Sequence, residues 1–251
     1  MKNNFVKFIK AALVAAFWIL AWHIISAVVA REILVPSPAR TLEAFFMLAK
    51  TQKFWNAVVY SIVRIIIGFI MAMAAGTLGA ILSYRFKFFE FISSPILSLV
   101  RTIPVASFII LALVWIKSDV LPLFISFFTV TPIIWDTVLA GIRNTKKAAL
   151  EAASVDGAGK WSQLFYIIIP GLAPSFFSAA VTGLGFAWKS GVAAEVICRP
   201  KFSIGSMLQD AKTYIESPEL FALTATVIII SLIIEKALKV IYQKWSKKHI
   251  F

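Results

Sequence analysis

The sequence predicts an all-α integral membrane protein with six transmembrane helices, and three observations lead there. Of its 251 residues, 60% are hydrophobic, against about 45–50% in soluble domains, and the mean hydropathy is +0.88. The apolar residues gather in runs of bilayer-spanning length, about 20 residues. Most of the basic residues, in a chain of net charge +13, fall in short gaps between those runs rather than along one soluble face. That pattern points to membrane edges and away from nucleic acid.

The first run, "AALVAAFWILAWHIISAVVA", spans Ala11 to Ala30. Lys2, Lys7 and Lys10 precede it, and "AVVA" before Arg31 resembles a cleavage site. A signal core holds about 7–15 apolar residues; this run is longer, which favours a retained helix over a cleaved one. The second span runs from about Val58 to Ser83, the third from about Ile92 to Ile116 and the fourth from about Val120 to Ile142. The fifth follows Pro170 and reaches about Ile197; the last covers about Leu220 to Tyr242. The connecting loops leave no room for a soluble catalytic domain, so residues 1–251 read as one transmembrane domain. Within the second span, Gly68, Ala72, Gly76 and Ala80 recur four apart, a spacing that lets helix backbones approach closely in lipid.

Orientation follows from the basic residues. With the N-terminus inside, the inner segments carry 14 Lys and Arg and the outer segments 8, which satisfies the positive-inside bias. Both termini, and the segment before Pro170, are then expected in the cytoplasm. The single cysteine, Cys198, excludes an internal disulfide, and His23 and His249 lie at opposite ends of the chain. No Cys/His cluster has metal-ligand spacing, so no metal or cofactor is expected on this chain.

One polar stretch interrupts the apolar pattern: "EAASVDGAGKWSQLFYIIIP", Glu151 to Pro170. Its GAGK suggests a phosphate-binding loop, G-x-x-x-x-G-K-[ST] after a strand. Ser154 stands where the first glycine is needed, Trp161 replaces the magnesium-binding hydroxyl, and no strand precedes it. The chain is therefore not its own ATPase. As structure, the stretch reads as a helix from Lys146 capped by Asn144 or Thr145, a turn at Asp156-Gly157, and a second helix that stops at Pro170. Ala152, Ala153 and Gly157 are small enough for a partner to approach, with Glu151, Asp156 and Lys160 as rim charges. Two readings stay open on these grounds: a docking knob, or an amphipathic linker lying on lipid headgroups.

The stretch resembles the EAA loop of ABC importer permease subunits, E-A-A-x-x-x-G, nine residues, then I-x-L-P. Glu151, Ala152, Ala153, Gly157, Ile167 and Pro170 fall on that pattern, with Ile169 in place of its leucine. "SIVRIIIGFIMAMAAGTLGAILS", "SPILSLVRTIPVASFIILALVWI", "AWKSGVAAEVI" and "SIGSMLQDAKTYIESPELFA" are similar to the nitrate/sulfonate/taurine branch of these permeases. The resemblance implies a type I importer-like fold in a prokaryotic inner membrane, with a cytoplasmic coupling helix between the fourth and fifth spans, in a loop at about residues 143–170. It implies a second permease copy, ABC ATPase subunits that carry the ATP and magnesium, and an extracytoplasmic substrate-binding protein that delivers a small polar or anionic solute. Related branches carry nitrate, alkylsulfonates, taurine or vitamin precursors.

Ionisable residues inside spans are costly and mark either function or internal pairing. Glu235 has Lys239 four residues on as a helical partner, and Arg64, early in its span, can extend toward the membrane surface. Arg101, Asp136, Lys189 and Glu195 allow two readings. They line a solute pathway, with Arg101 and Lys189 facing a polar or anionic solute. Or they form internal ion pairs, Asp136 with Arg101 and Glu195 with Lys189 or Arg101. Of the rival classes, an ion-coupled secondary transporter would often show an inverted repeat, and none is evident between the two halves. An intramembrane enzyme would need a nucleophile–base or metal set that the spans lack.

Overall fold

The computed structural model describes residues 2–144 and 169–249. In chain order the helices are α1 (Lys2–Val29), α2 (Pro38–Ala49), α3 (Gln52–Arg85), α4 (Lys87–Thr102) and α5 (Val105–Ala112). They continue with α6 (Leu121–Asn144), α7 (Ile169–Cys198), α8 (Ile204–Thr213) and α9 (Ser217–His249). No strand occurs among the described residues.

Local chemistry sets several helix starts. Ser37 accepts a hydrogen bond from the Arg40 amide and is followed by Pro38 in the first turn of α2. Thr51 accepts from the Phe54 amide at the start of α3. Such caps satisfy amides that have no partner within the helix. Neither α2 nor α8 is an apolar run of spanning length, and both lie in the connections between expected spans.

The core is α3, α6 and α7. Helices α3 and α6 run in the same direction and α7 runs against them. The small-residue face of α3 meets α6: Gly68, Ala72, Gly76 and Ala80 are all buried. A side chain at Gly68 would strike the Leu123 carbonyl and the Ser126 side chain. A side chain at Gly191 of α7 would strike Ile65 and Ser126. Between such faces polar groups bond across helices: Ser126 donates to the Ala187 carbonyl at 3.1 Å, Thr129 and Ser190 share a 3.0 Å bond, and Trp188 donates to the Val227 carbonyl at 3.0 Å. Each is worth about 0.6 kcal/mol in a membrane. Helix α1 lies outside this core, held by Trp22 on the Pro36 carbonyl and Ser26 on the Val35 carbonyl.

Among the described residues, four helices are long and apolar enough to cross a membrane: within α1 (Ala12–Val29), α3, α6 and α9. They match the first, second, fourth and last expected spans. The expected third span, Ile92 to Ile116, is instead the pair α4 and α5, bent by 102°. The cause is Pro104. It lacks an amide proton and keeps the preceding residue out of the helical region, and Ile103 is extended at ψ 125. The expected fifth span, α7, has 30 residues and is not among those four.

Candidate functional site

Helix α6 ends at Asn144 and α7 begins at Ile169. Because the two helices are antiparallel, the end of α6 and the start of α7 lie at one end of the bundle, termed proximal below. Glu151, Ala152, Ala153, Gly157 and Ile167 lie outside the described residues. Pro170 is half-buried in the first turn of α7, where a proline removes no intrahelical hydrogen bond.

Toward that end, α4 turns a polar stripe past α6. Arg101 is ion-paired with Asp136 and also donates to the Leu97 carbonyl at 3.2 Å. Arg143 bonds Glu90 at 2.6 Å. The Arg101 and Asp136 side chains remain 48% and 42% exposed. Both pairs border a polar cleft of about 140 Å³ with Ser83, Ser93 and Ser94. A wider groove of about 910 Å³ continues along α4 past Lys87, Ser94 and Ser98. The stripe arises from helical spacing: Glu90, Ser94, Arg101 and, between them, Ser98 recur at three to four residues or a multiple of it, so one face of α4 is polar while the others are apolar.

The expected pairing of Asp136 with Arg101 is present. The expected pairing of Glu195 with Lys189 or Arg101 is not: Glu195 faces Arg64 at 3.9 Å. Six residues of helix separate Lys189 from Glu195, about 9 Å of rise and a third of a turn from alignment, so the two leave α7 on different faces. Lys189 is exposed and lies near enough to Glu235 to act on it electrostatically. Glu235 itself pairs with Lys239 at 2.6 Å, as the i, i+4 spacing predicts.

Glu195 is fully buried at the opposite, distal end of the bundle. Its Oε2 accepts from Ser61 Oγ at 2.7 Å and from the Gly205 amide at 3.2 Å. Arg64, only 13% exposed, donates to the Lys201 carbonyl at 2.8 Å and the Phe202 carbonyl at 3.2 Å, and meets Asp119 at 3.4 Å. Arg64 therefore bonds inward rather than extending to the surface. The sequence carried one local sign of this: Ser61 and Arg64, three apart, share a face of α3. Their partners are 55 to 138 residues away and leave no local spacing to read. No group of three or more His, Cys, Asp or Glu side chains able to hold a metal occurs among the described residues.

Residues 64–247 match the model of a family described as "Binding-protein-dependent transport system inner membrane component". The chain is 24% identical over 237 residues to the taurine transport system permease protein TauC of Escherichia coli (strain K12), covering 91% of this chain and 85% of that protein. It is 26% identical over 216 residues to the putative aliphatic sulfonates transport permease protein SsuC of Bacillus subtilis (strain 168), covering 85% and 78%. Among solved structures it shares its fold with a chain of an amino acid ABC transporter with histidines. The TM-score is 0.64 at 13% identity, over 80% of this chain and 96% of that one.

Proposed function

As this chain belongs to the family of binding-protein-dependent transport system inner membrane components and is a permease subunit of an ABC importer, we propose how it does that work. Two copies pair. A separate ATPase subunit engages the loop at about residues 143–170, with Glu151, Ala152, Ala153 and Gly157 at the contact and Ile167 and Pro170 leading into α7. ATP binding moves the ATPase subunits, and the loop passes that motion to the helices, which alternate the side to which the pathway opens. The proximal end of the bundle and both termini face the cytoplasm, and the chain crosses six times, counting α4–α5 and α7. A substrate-binding protein delivers the solute to the distal face.

The observation that carries this reading is the E-A-A-x-x-x-G spacing, with its proline placed in the first turn of α7. A force applied at the loop would enter one of the three core helices directly. The polar stripe of α4, with Arg101 and Asp136, lines the pathway. Because Arg101 is already neutralised by Asp136, the stripe offers polar contacts without a net positive charge. That suits a passage with weak solute affinity whose selectivity resides in the binding protein. TauC and SsuC are named for taurine and aliphatic sulfonates, which supports a small polar or anionic solute for this chain.

The test is to reconstitute the permease with its ATPase and binding protein in liposomes and to compare Gly157→Trp and Glu151→Lys with wild type. Uptake is expected to fall about tenfold or more, the scale of an intersite coupling, while ATP hydrolysis persists. Normal uptake with normal ATPase binding in both variants would contradict the coupling role.

A further inference from the structure

The turn from α7 into α8 holds two non-glycine residues in the left-handed region, Arg199 at φ 50 and Phe202 at φ 49. Such a backbone is unfavourable for an L-residue and persists where the surroundings over-determine it. Here they do. Arg64 of α3 spans the two consecutive carbonyls of Lys201 and Phe202. Asp119, from the segment before α6, accepts the Lys201 amide at 3.0 Å. Ser61 of α3 accepts the Ile204 amide at 3.0 Å while donating to Glu195, which takes the Gly205 amide. At Gly205 a Cβ would strike Glu195 and the Val196 backbone, so the start of α8 lies directly on α7.

Four side chains from three other parts of the fold thus fix one corner through its backbone. A surface turn held only to cap a helix would need the Ser203 side chain, which already accepts the Ser206 amide at 3.0 Å. The further cost of burying Glu195, whose Oε1 has no hydrogen-bond partner and only the Arg64 charge at 3.9 Å, calls for another purpose.

We propose that Arg64 and Glu195 are positioning residues that make the α7–α8 corner a rigid joint. A displacement of α7 is then delivered to α8 and the distal face instead of being absorbed in the Arg199–Ser203 turn. The inference rests on the reading of residues 143–170 as the point where force enters α7. It adds the far end of the same lever: α7 runs about 45 Å at 1.5 Å per residue, from the loop to the surface expected to receive the binding protein. Arg64 suits the role because a planar guanidinium holds its donors in a rigid fork, here one nitrogen on each carbonyl, whereas an ammonium on a flexible stem fixes no such geometry.

The experiment uses the assembled transporter in lipid nanodiscs and measures ATP hydrolysis with and without solute-loaded binding protein. Amide exchange is followed across residues 199–205. Arg64→Lys keeps the charge and loses the fork; Glu195→Gln keeps an acceptor for Ser61 and Gly205 and loses the ion pair. Both variants are expected to keep basal hydrolysis, to lose binding-protein stimulation by at least about fivefold, and to exchange the Lys201, Ile204 and Gly205 amides about tenfold faster. Stimulation equal to wild type, unchanged exchange, or a proportional loss of basal and stimulated hydrolysis would overturn the joint. Absence of stimulation in the wild type would overturn the coupling reading beneath it, so the two failures are distinguishable.

Discussion

Arg101 and Asp136 show what a charge pair contributes inside a span. Both side chains are half-exposed, so the pair itself is worth about 1 kcal/mol or less. Either charge left alone mid-span costs about 2.5–3.5 kcal/mol. The single variants Arg101→Gln and Asp136→Asn should therefore each lose more stability than the double variant. If the pair serves packing alone, the double variant regains wild-type uptake. If Arg101 also meets the solute, uptake stays low while stability returns. Thermal unfolding and uptake on the same four proteins separate these outcomes. The pairing of Asp136 was legible because Arg101 and Asp136 both stood out as charges deep in neighbouring apolar runs. The partner of Glu195 was not, since Arg64, early in its own span, is within reach of the membrane surface by its position alone. Only the tertiary fold, by laying the start of α8 across α3 and α7, shows that it turns inward.

Among elements, α3 was the most legible. Small residues four apart predicted a face for close contact, and that face meets α6. Gly68→Leu should drive a side chain into the Leu123 carbonyl and lower stability by about 1–3 kcal/mol. Gly185→Ala, where nothing lies within 4 Å of an added Cβ, should be tolerated. Melting of the two variants in detergent checks the contrast. The third span was only partly legible: Pro104 marked a break, but its 102° angle depends on how α5 packs on α6 and α7, with Phe108 stacked on Phe128 at 4.2 Å. Helices α2 and α8 carry no long apolar run, because each is short and has polar residues on one side. Both sit at the distal end, where connections between spans have to turn.

For the molecule as a whole, composition was enough to predict a multi-span α-helical membrane protein. Membership in a binding-protein-dependent transport family removes the ion-coupled alternative. What composition left open is how energy reaches the helices. GAGK fails as a phosphate loop at Ser154 and Trp161; on the function proposed above, hydrolysis belongs to another chain and force arrives from outside. The antiparallel α6–α7 pair brings both ends of residues 143–170 to one end of the bundle, and the clamped α7–α8 corner lies at the other. Helix α7 connects them.

The most direct test of this account is solute uptake into liposomes that hold the permease with its ATPase subunits, driven either by internal ATP or by an imposed ion gradient. Uptake that requires both ATP and the binding protein, and that Gly157→Trp abolishes without stopping hydrolysis, is the predicted result. Uptake driven by the gradient alone, or unaffected by Gly157→Trp, would contradict it.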